Sequence, residues 1–222
     1  MGNFRYIKTD ETGWIYALGT DKKPVNLCAY TKATIINSKD GRTNFRVGDG
    51  PHREKTVSLS DNNAALYLSK NPKDAPTQGE AVLTVSYGKL VKDWYSQARQ
   101  EKLDQQMATM SFAGKSVQLT LNSVWGTGFT PLPAGEYKIR IPDYPHDANM
   151  TNFYRKTDPS LKYDQVWFPI DHDNNTRYVH VGNLSDGCAT VLDLGKWADV
   201  YQYLIRHRTT SLQHVGKLVV KT

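Results

Sequence analysis

The chain reads as a mainly β protein: an N-terminal β-rich unit, then a β-sandwich catalytic domain, with two helices in all. Three observations lead there. Short apolar runs rich in β-branched and aromatic residues recur along the chain, and Gly, Pro, Asn and Asp clusters separate them. Tyr and Trp are abundant, 13 and 5 in 222 residues, which suits β-rich cores and clefts. Only two stretches carry helical spacing of apolar residues.

Residues 1–90 supply the first unit. Gly13–Leu18 and Ala29–Ile36 have strand residue types, and Asp40-Gly41 and Asp49-Gly50-Pro51 are turn signals. Ala64–Leu68 and Ala81–Tyr87 read as further strands, with 70–76 as a loop between them. In residues 91–108, Val91, Trp94, Tyr95, Ala98, Leu103 and Met107 alternate with polar residues and predict an amphipathic helix. This places a helical connector at 91–110 and the catalytic domain at 111–222. Ser116–Leu121, Tyr137–Ile141, Val166–Ile170, Arg177–Val181 and Leu218–Val220 are its expected strands. Leu194, Trp197, Tyr201, Leu204 and Ile205 give the second helix one apolar face.

Hydrophobic residues are 39% and charged residues 23%, ordinary values for a globular chain. The net charge of +6 favours anionic partners such as an acidic cell-wall polymer. No Lys/Arg run resembles a nucleic-acid arm, so nucleic acid is not an expected partner. The N-terminus lacks a basic segment followed by an apolar one, and no apolar run is long enough to cross a bilayer. The expectation is synthesis in the cytoplasm without a signal peptide. Cys28 and Cys188 are too few and too far apart for a disulfide framework, and Cys28 reads as a small buried hydrophobe.

The chemistry concentrates in 178–190. His180 lies on an apolar strand, a polar turn follows, and Cys188 leaves that turn after Gly187. A thiol with an imidazole in reach is the minimum for a cysteine nucleophile, and backbone N–H groups beside it can hold an oxyanion. Other readings exist. His146, His172, His180 and Cys188 could make a zinc site with one open position, as in a zinc-dependent hydrolase. Asp171–Asn175 faintly matches a calcium loop but reads better as a polar turn.

Ser185-Asp186-Gly187-Cys188, with His180 upstream, resembles the active-site signature of the L,D-transpeptidases. The block Gly126–Ile139 is similar to that family's Thr-Gly…Thr-Pro-x-Gly-x-Tyr block, and the resemblance spans about residues 115–205. It implies a mainly β, L,D-transpeptidase-like catalytic domain in which Cys188 is the nucleophile, His180 the general base, and Gly187 with Cys188 the oxyanion donors. Ser185 opens the motif. The implied substrate is a peptidoglycan stem peptide. Attack at the diaminopimelate carbonyl releases D-alanine, and the acyl group passes to water or an amine. No metal or organic cofactor is implied. The sequence departs from the family in its short His180–Cys188 spacing, in Asp186 where the family has histidine, and in Thr190 where it has arginine. These residues bear on substrate binding, with Arg177 and Arg140 as candidate replacement cations and Tyr144 and His146 near the cleft. Short-insert members without a signal peptide resemble antibacterial effectors delivered by contractile secretion systems. That implies action in the periplasm, with a delivery or immunity protein as partner. A non-enzymatic cell-wall-binding or phage structural module is the competing expectation.

Overall fold

The computed structural model describes residues 3–222. It is mainly β with two α-helices. The N-terminal unit is one antiparallel sheet built from β1 (Phe4–Ile7), β2 (Trp14–Gly19), β3 (Pro24–Cys28), β4 (Lys32–Lys39), β5 (Arg42–Val47), β6 (Thr56–Ser60) and β7 (Leu68–Ser69). Their spatial order is β3-β2-β6-β5-β4-β1-β7. The β4–β5 turn is the predicted Asp40-Gly41 pair, both with positive φ, as a two-residue hairpin requires. Ile7, Ile15, Phe45, Val47, Val57 and Leu59 fill the core of this sheet.

Two segments depart from the expectation here. Ala64–Leu68 is not a strand: α1 (Asp61–Tyr67) occupies it, and the Ser60 hydroxyl accepts from the Asn63 N–H at its start. That Ser-Asp pair is an N-cap signal that outweighs the strand propensity of the short apolar run. Residues 91–108 are not a helix. They belong to a long hairpin of β9 (Ala81–Ser96) and β10 (Glu101–Phe112), preceded by the two-residue β8 (Thr77–Gln78). Register shifts at Leu103/Gln105 and Gln106/Ala108 break the alternation of a regular strand, and the turn at 97–100 interrupts the apparent helical stripe.

The hairpin opens the second unit, so its first strand lies at 81 rather than 111. The remaining strands are β11 (Lys115–Thr120), β12 (Gly135–Arg140), β13 (Phe168–Ile170), β14 (Arg177–Val181), β15 (Ala189–Val191), β16 (His207–Arg208) and β17 (His214–Lys221). Eight strands close into a barrel in the order β10-β11-β15-β14-β13-β12-β17-β9 rather than forming two stacked sheets. The predicted second helix is α2 (Trp197–Ile205), which buries Trp197, Val200, Tyr201, Leu204 and Ile205. Each such side chain removed from water contributes about 1.5–3 kcal/mol.

The units share a boundary. Trp14, Cys28 and Ala29 of the N-terminal unit pack into the barrel's apolar cluster, so Cys28 is the buried small hydrophobe expected. Beside them the fully buried Arg208 pairs with Asp49 at 3.4 Å and donates to the Ala29 carbonyl at 3.2 Å. No helix is long and apolar enough to cross a membrane among the described residues.

Candidate active site

β14 and β15 run parallel, with Val179 opposite Ala189, His180 opposite Thr190 and Val181 opposite Val191. The chain at 182–188 must therefore travel back along the strand it has just left, which returns Cys188 to the level of Tyr178. Strand alternation does the rest. Val179, Val181, Ala189 and Val191 point into the barrel core. Tyr178, His180, Cys188 and Thr190 share the outer face. His180 and Cys188 thus lie diagonally across one pair of strands, with Thr190 beside one and two residues from the other.

This face is covered. The His180 ring stacks on Trp167 with centroids 4.0 Å apart, and His146 stacks on the same indole at 4.1 Å. Tyr144 caps the column, 4.7 Å from His146. Tyr144 is half exposed, whereas Cys188, His180 and His146 are each buried. Trp167 is fixed by its indole N–H, which donates to the Asp164 carbonyl at 3.0 Å. Asp164 is wholly buried and tied to Arg155 and Thr151. Trp167 was not singled out from the sequence. Its signal is alternation: Phe168 faces the core, so its neighbour must face out.

The turn is held from several sides. Ser185 donates through its hydroxyl to the Cys188 carbonyl at 2.9 Å, and its N–H donates to the Ser123 hydroxyl at 3.0 Å. The Ser123 hydroxyl donates in turn to Gln105 on the hairpin at 2.6 Å. Asn183 accepts from the Tyr154 hydroxyl at 2.8 Å. Ser185 thus ties both ends of the turn, through its hydroxyl to Cys188 and through its N–H to Ser123. Gly187 has φ +85°, and a Cβ there would lie 2.5 Å from Arg177 Nη1 and 2.6 Å from the Thr130 carbonyl oxygen. Only glycine fits this corner.

Arg177 is not a free cation. Its Nη1 donates to the carbonyls of Thr130 and Gly187, and its Nη2 pairs with Asp173 at 3.1 Å. Arg140 pairs with Asp171, which also accepts from His214 Nε2 at 3.0 Å. Arg177 is thus buried and fully engaged, whereas Arg140 pairs through its Nε and keeps its side chain partly exposed. Asp186 is half-buried in the turn, and its Oδ1 has no partner among the described residues. Asp171 and Asp173 lie in the short polar turn expected at 171–175, where Asp171 pairs with Arg140 and His214, and Asp173 with His172 and Arg177.

Burial keeps both the Cys188 thiol and the His180 imidazole neutral near pH 7. Burial pushes the Cys188 thiol up to about 11, with Asp186 adding in the same sense. Burial holds His180 down to about 4, and it does the same to His146. His180 Nδ1 lies 3.0 Å from the Val181 carbonyl oxygen, and Nε2 lies 3.0 Å from the Thr190 hydroxyl. Thr190, expected to bear on substrate binding, lies beside the imidazole.

The zinc alternative is not assembled. Trp167 separates His146 from His180, His172 faces Asp173 at 3.2 Å, and no cluster of metal ligands forms among the described residues. A second hydrogen-bonded chain joins Ser211, His214 and Asp171. The N–H groups of Leu212 and Gln213 donate to the Thr209 carbonyl and the Ser211 hydroxyl, so this chain secures the loop at 209–214.

Comparison with protein-family models, with curated proteins and with solved structures finds no match for this chain.

Proposed function

We propose that the protein performs cysteine-dependent acyl transfer on peptidoglycan stem peptides, as an L,D-carboxypeptidase or an L,D-transpeptidase that exchanges D-amino acids. One observation carries this reading: the two sequence blocks of the resemblance meet through one side chain. Arg177 Nη1 binds the carbonyl of Thr130 from the first block and that of Gly187 from the second. Cys188 follows on the same outer face as His180.

The chemistry follows from neutral partners. With the thiol at about 11 and the imidazole at about 4, a resting thiolate–imidazolium pair is disfavoured. Proton transfer from Cys188 Sγ to His180 Nε2 then accompanies attack on the scissile carbonyl, as general-base catalysis. The Gly187 and Cys188 amides flank the position where the oxyanion develops. His180 returns the proton to the departing D-alanine amine, and the thioester passes to water or to an acceptor amine. The net positive charge suits an anionic wall polymer, and the role we assign is that of an antibacterial effector acting in the periplasm.

A second reading, a catalytically silent wall-binding module, draws on the engagement of His180 Nε2 by Thr190. Mass spectrometry of muropeptides separates the two. Disaccharide-tetrapeptide incubated with the parent protein is expected to lose or exchange D-alanine, and Cys188→Ala is expected to leave it intact. Intact substrate with both proteins would sink the enzymatic reading.

A further inference from the structure

We propose that Thr190 is a latch on the general base: its hydroxyl occupies the Nε2 lone pair of His180 and releases it to Cys188 by turning to the Leu184 carbonyl. The proposal rests on reading Cys188 and His180 as nucleophile and base, and adds the control of that pair.

Hydrogen-bond chemistry fixes the tautomer. The Val181 carbonyl can only accept, so Nδ1, 3.0 Å away, carries the proton. Nε2 of the neutral ring is then an acceptor, and the Thr190 hydroxyl at 3.0 Å is its donor. That hydroxyl has one proton and a second acceptor in reach, the Leu184 carbonyl at 3.5 Å. Rotation about one C–O bond exchanges the two. The ring itself cannot swing aside, because Trp167 stacks on its face and Val181 holds its other nitrogen. So the part free to move is the hydroxyl proton.

With the latch turned, Nε2 is a buried acceptor without a donor, a state that costs free energy until another donor replaces the hydroxyl. The donor we assign is the Cys188 S–H, two residues from Thr190 on the same face, once its side chain turns from the Tyr178 N–H toward the ring. The S–H bond then breaks as the Nε2–H bond forms, giving thiolate and imidazolium with no change in net charge. The other titratable groups around the pair are Tyr178 and Arg177 on β14, Asp186 in the turn, and Asp143, Tyr144 and His146 in the covering segment. Arg177 is neutralised by Asp173.

The test is the pH dependence of Cys188 alkylation by iodoacetamide, measured in a Cys28→Ala background. Thr190→Val keeps the side chain's shape and removes the hydroxyl. It is expected to lower the apparent thiol pKa by about one unit, and so to raise the rate at pH 7 about tenfold. Thr190→Ala should show the same gain, Thr190→Ser should reverse it, and His180→Ala in the Thr190→Val protein should abolish it. Rates in Thr190→Val and Thr190→Ala equal to or below the parent rate overturn the latch. Should neither variant fold, nitrogen-15 NMR of the parent decides. A proton on His180 Nδ1 and a bare Nε2 are expected, and a proton on Nε2 overturns the proposal. Alkylation needs no peptidoglycan. Muropeptide turnover that requires Cys188, together with unchanged alkylation in the variants, removes the latch and leaves the enzymatic reading intact.

Discussion

Arg177 Nη1 donates to the Gly187 carbonyl at 3.1 Å while the Gly187 Cα lies so close that an added methyl would meet the same nitrogen at 2.5 Å. The guanidinium closes over a corner that has room for backbone alone. Gly187→Ala adds both this collision and a left-handed conformation. It is expected to cost about 2–4 kcal/mol in urea unfolding and, under the proposed activity, to abolish D-alanine release. Parent-like stability in this variant would show that the corner opens freely.

Ser185→Ala separates positioning from chemistry. The lost bond runs to the Cys188 carbonyl, so stability should fall by about 1 kcal/mol. Turnover should fall severalfold without vanishing, in contrast to Cys188→Ala. Complete loss of turnover in a folded Ser185→Ala protein would give Ser185 a direct part in the reaction.

Trp167→Ala removes the plate against which both His146 and His180 lie. The expected cost is about 3 kcal/mol, from a large aromatic truncated in a packed site. Trp167→Phe should recover most of it, since a smaller ring still stacks. Calorimetric melting of the three proteins checks the order.

The two histidines set a pH dependence of stability. Each is held at about 4 in the fold against about 6.5 when unfolded, so the unfolded chain binds more protons between those values. Their contribution is complete above about pH 6.5 and is lost as pH falls toward 4, by at most about 3 kcal/mol for each ring. Asp49 and Asp143, raised by burial, act in the opposite sense, so the informative quantity is a difference between proteins. His146→Phe keeps the stack and removes one titration. Its melting temperature should fall less than the parent's between pH 6.5 and 4.5, and parallel curves would contradict the assignment.

Asp49 and Arg208 form a buried ion pair between the N-terminal unit and the second unit. Asp49→Ala leaves a buried guanidinium without its carboxylate and should cost about 3–5 kcal/mol. Limited proteolysis should then cut sooner in residues 70–80, between the two units.

Most strands were legible because each is short, apolar and bounded by turn residues, and the strand of His180 and the glycine turn before Cys188 were legible for the same reason. The hairpin at 81–112 was not. Its bulges near Leu103 and Gln106 shift the inward residues off a period of two, and what remains imitates a helix. Helix α1 was hidden by its length, since Ala64–Leu68 fits either state until the Ser60 cap is counted.

By itself, the sequence determined the mainly β class, the second helix, the strand that carries His180 and the glycine turn before Cys188, because local periodicity and turn chemistry specify them. Tertiary structure alone decided the closed barrel, the commitment of Arg177 to Thr130 and Gly187, the Trp167 stack and the hold of Thr190 on His180. Those depend on which strands become neighbours and in what register. In a parallel pair, the register of 179 with 189 sets which side chains meet, and nothing local to either strand encodes it.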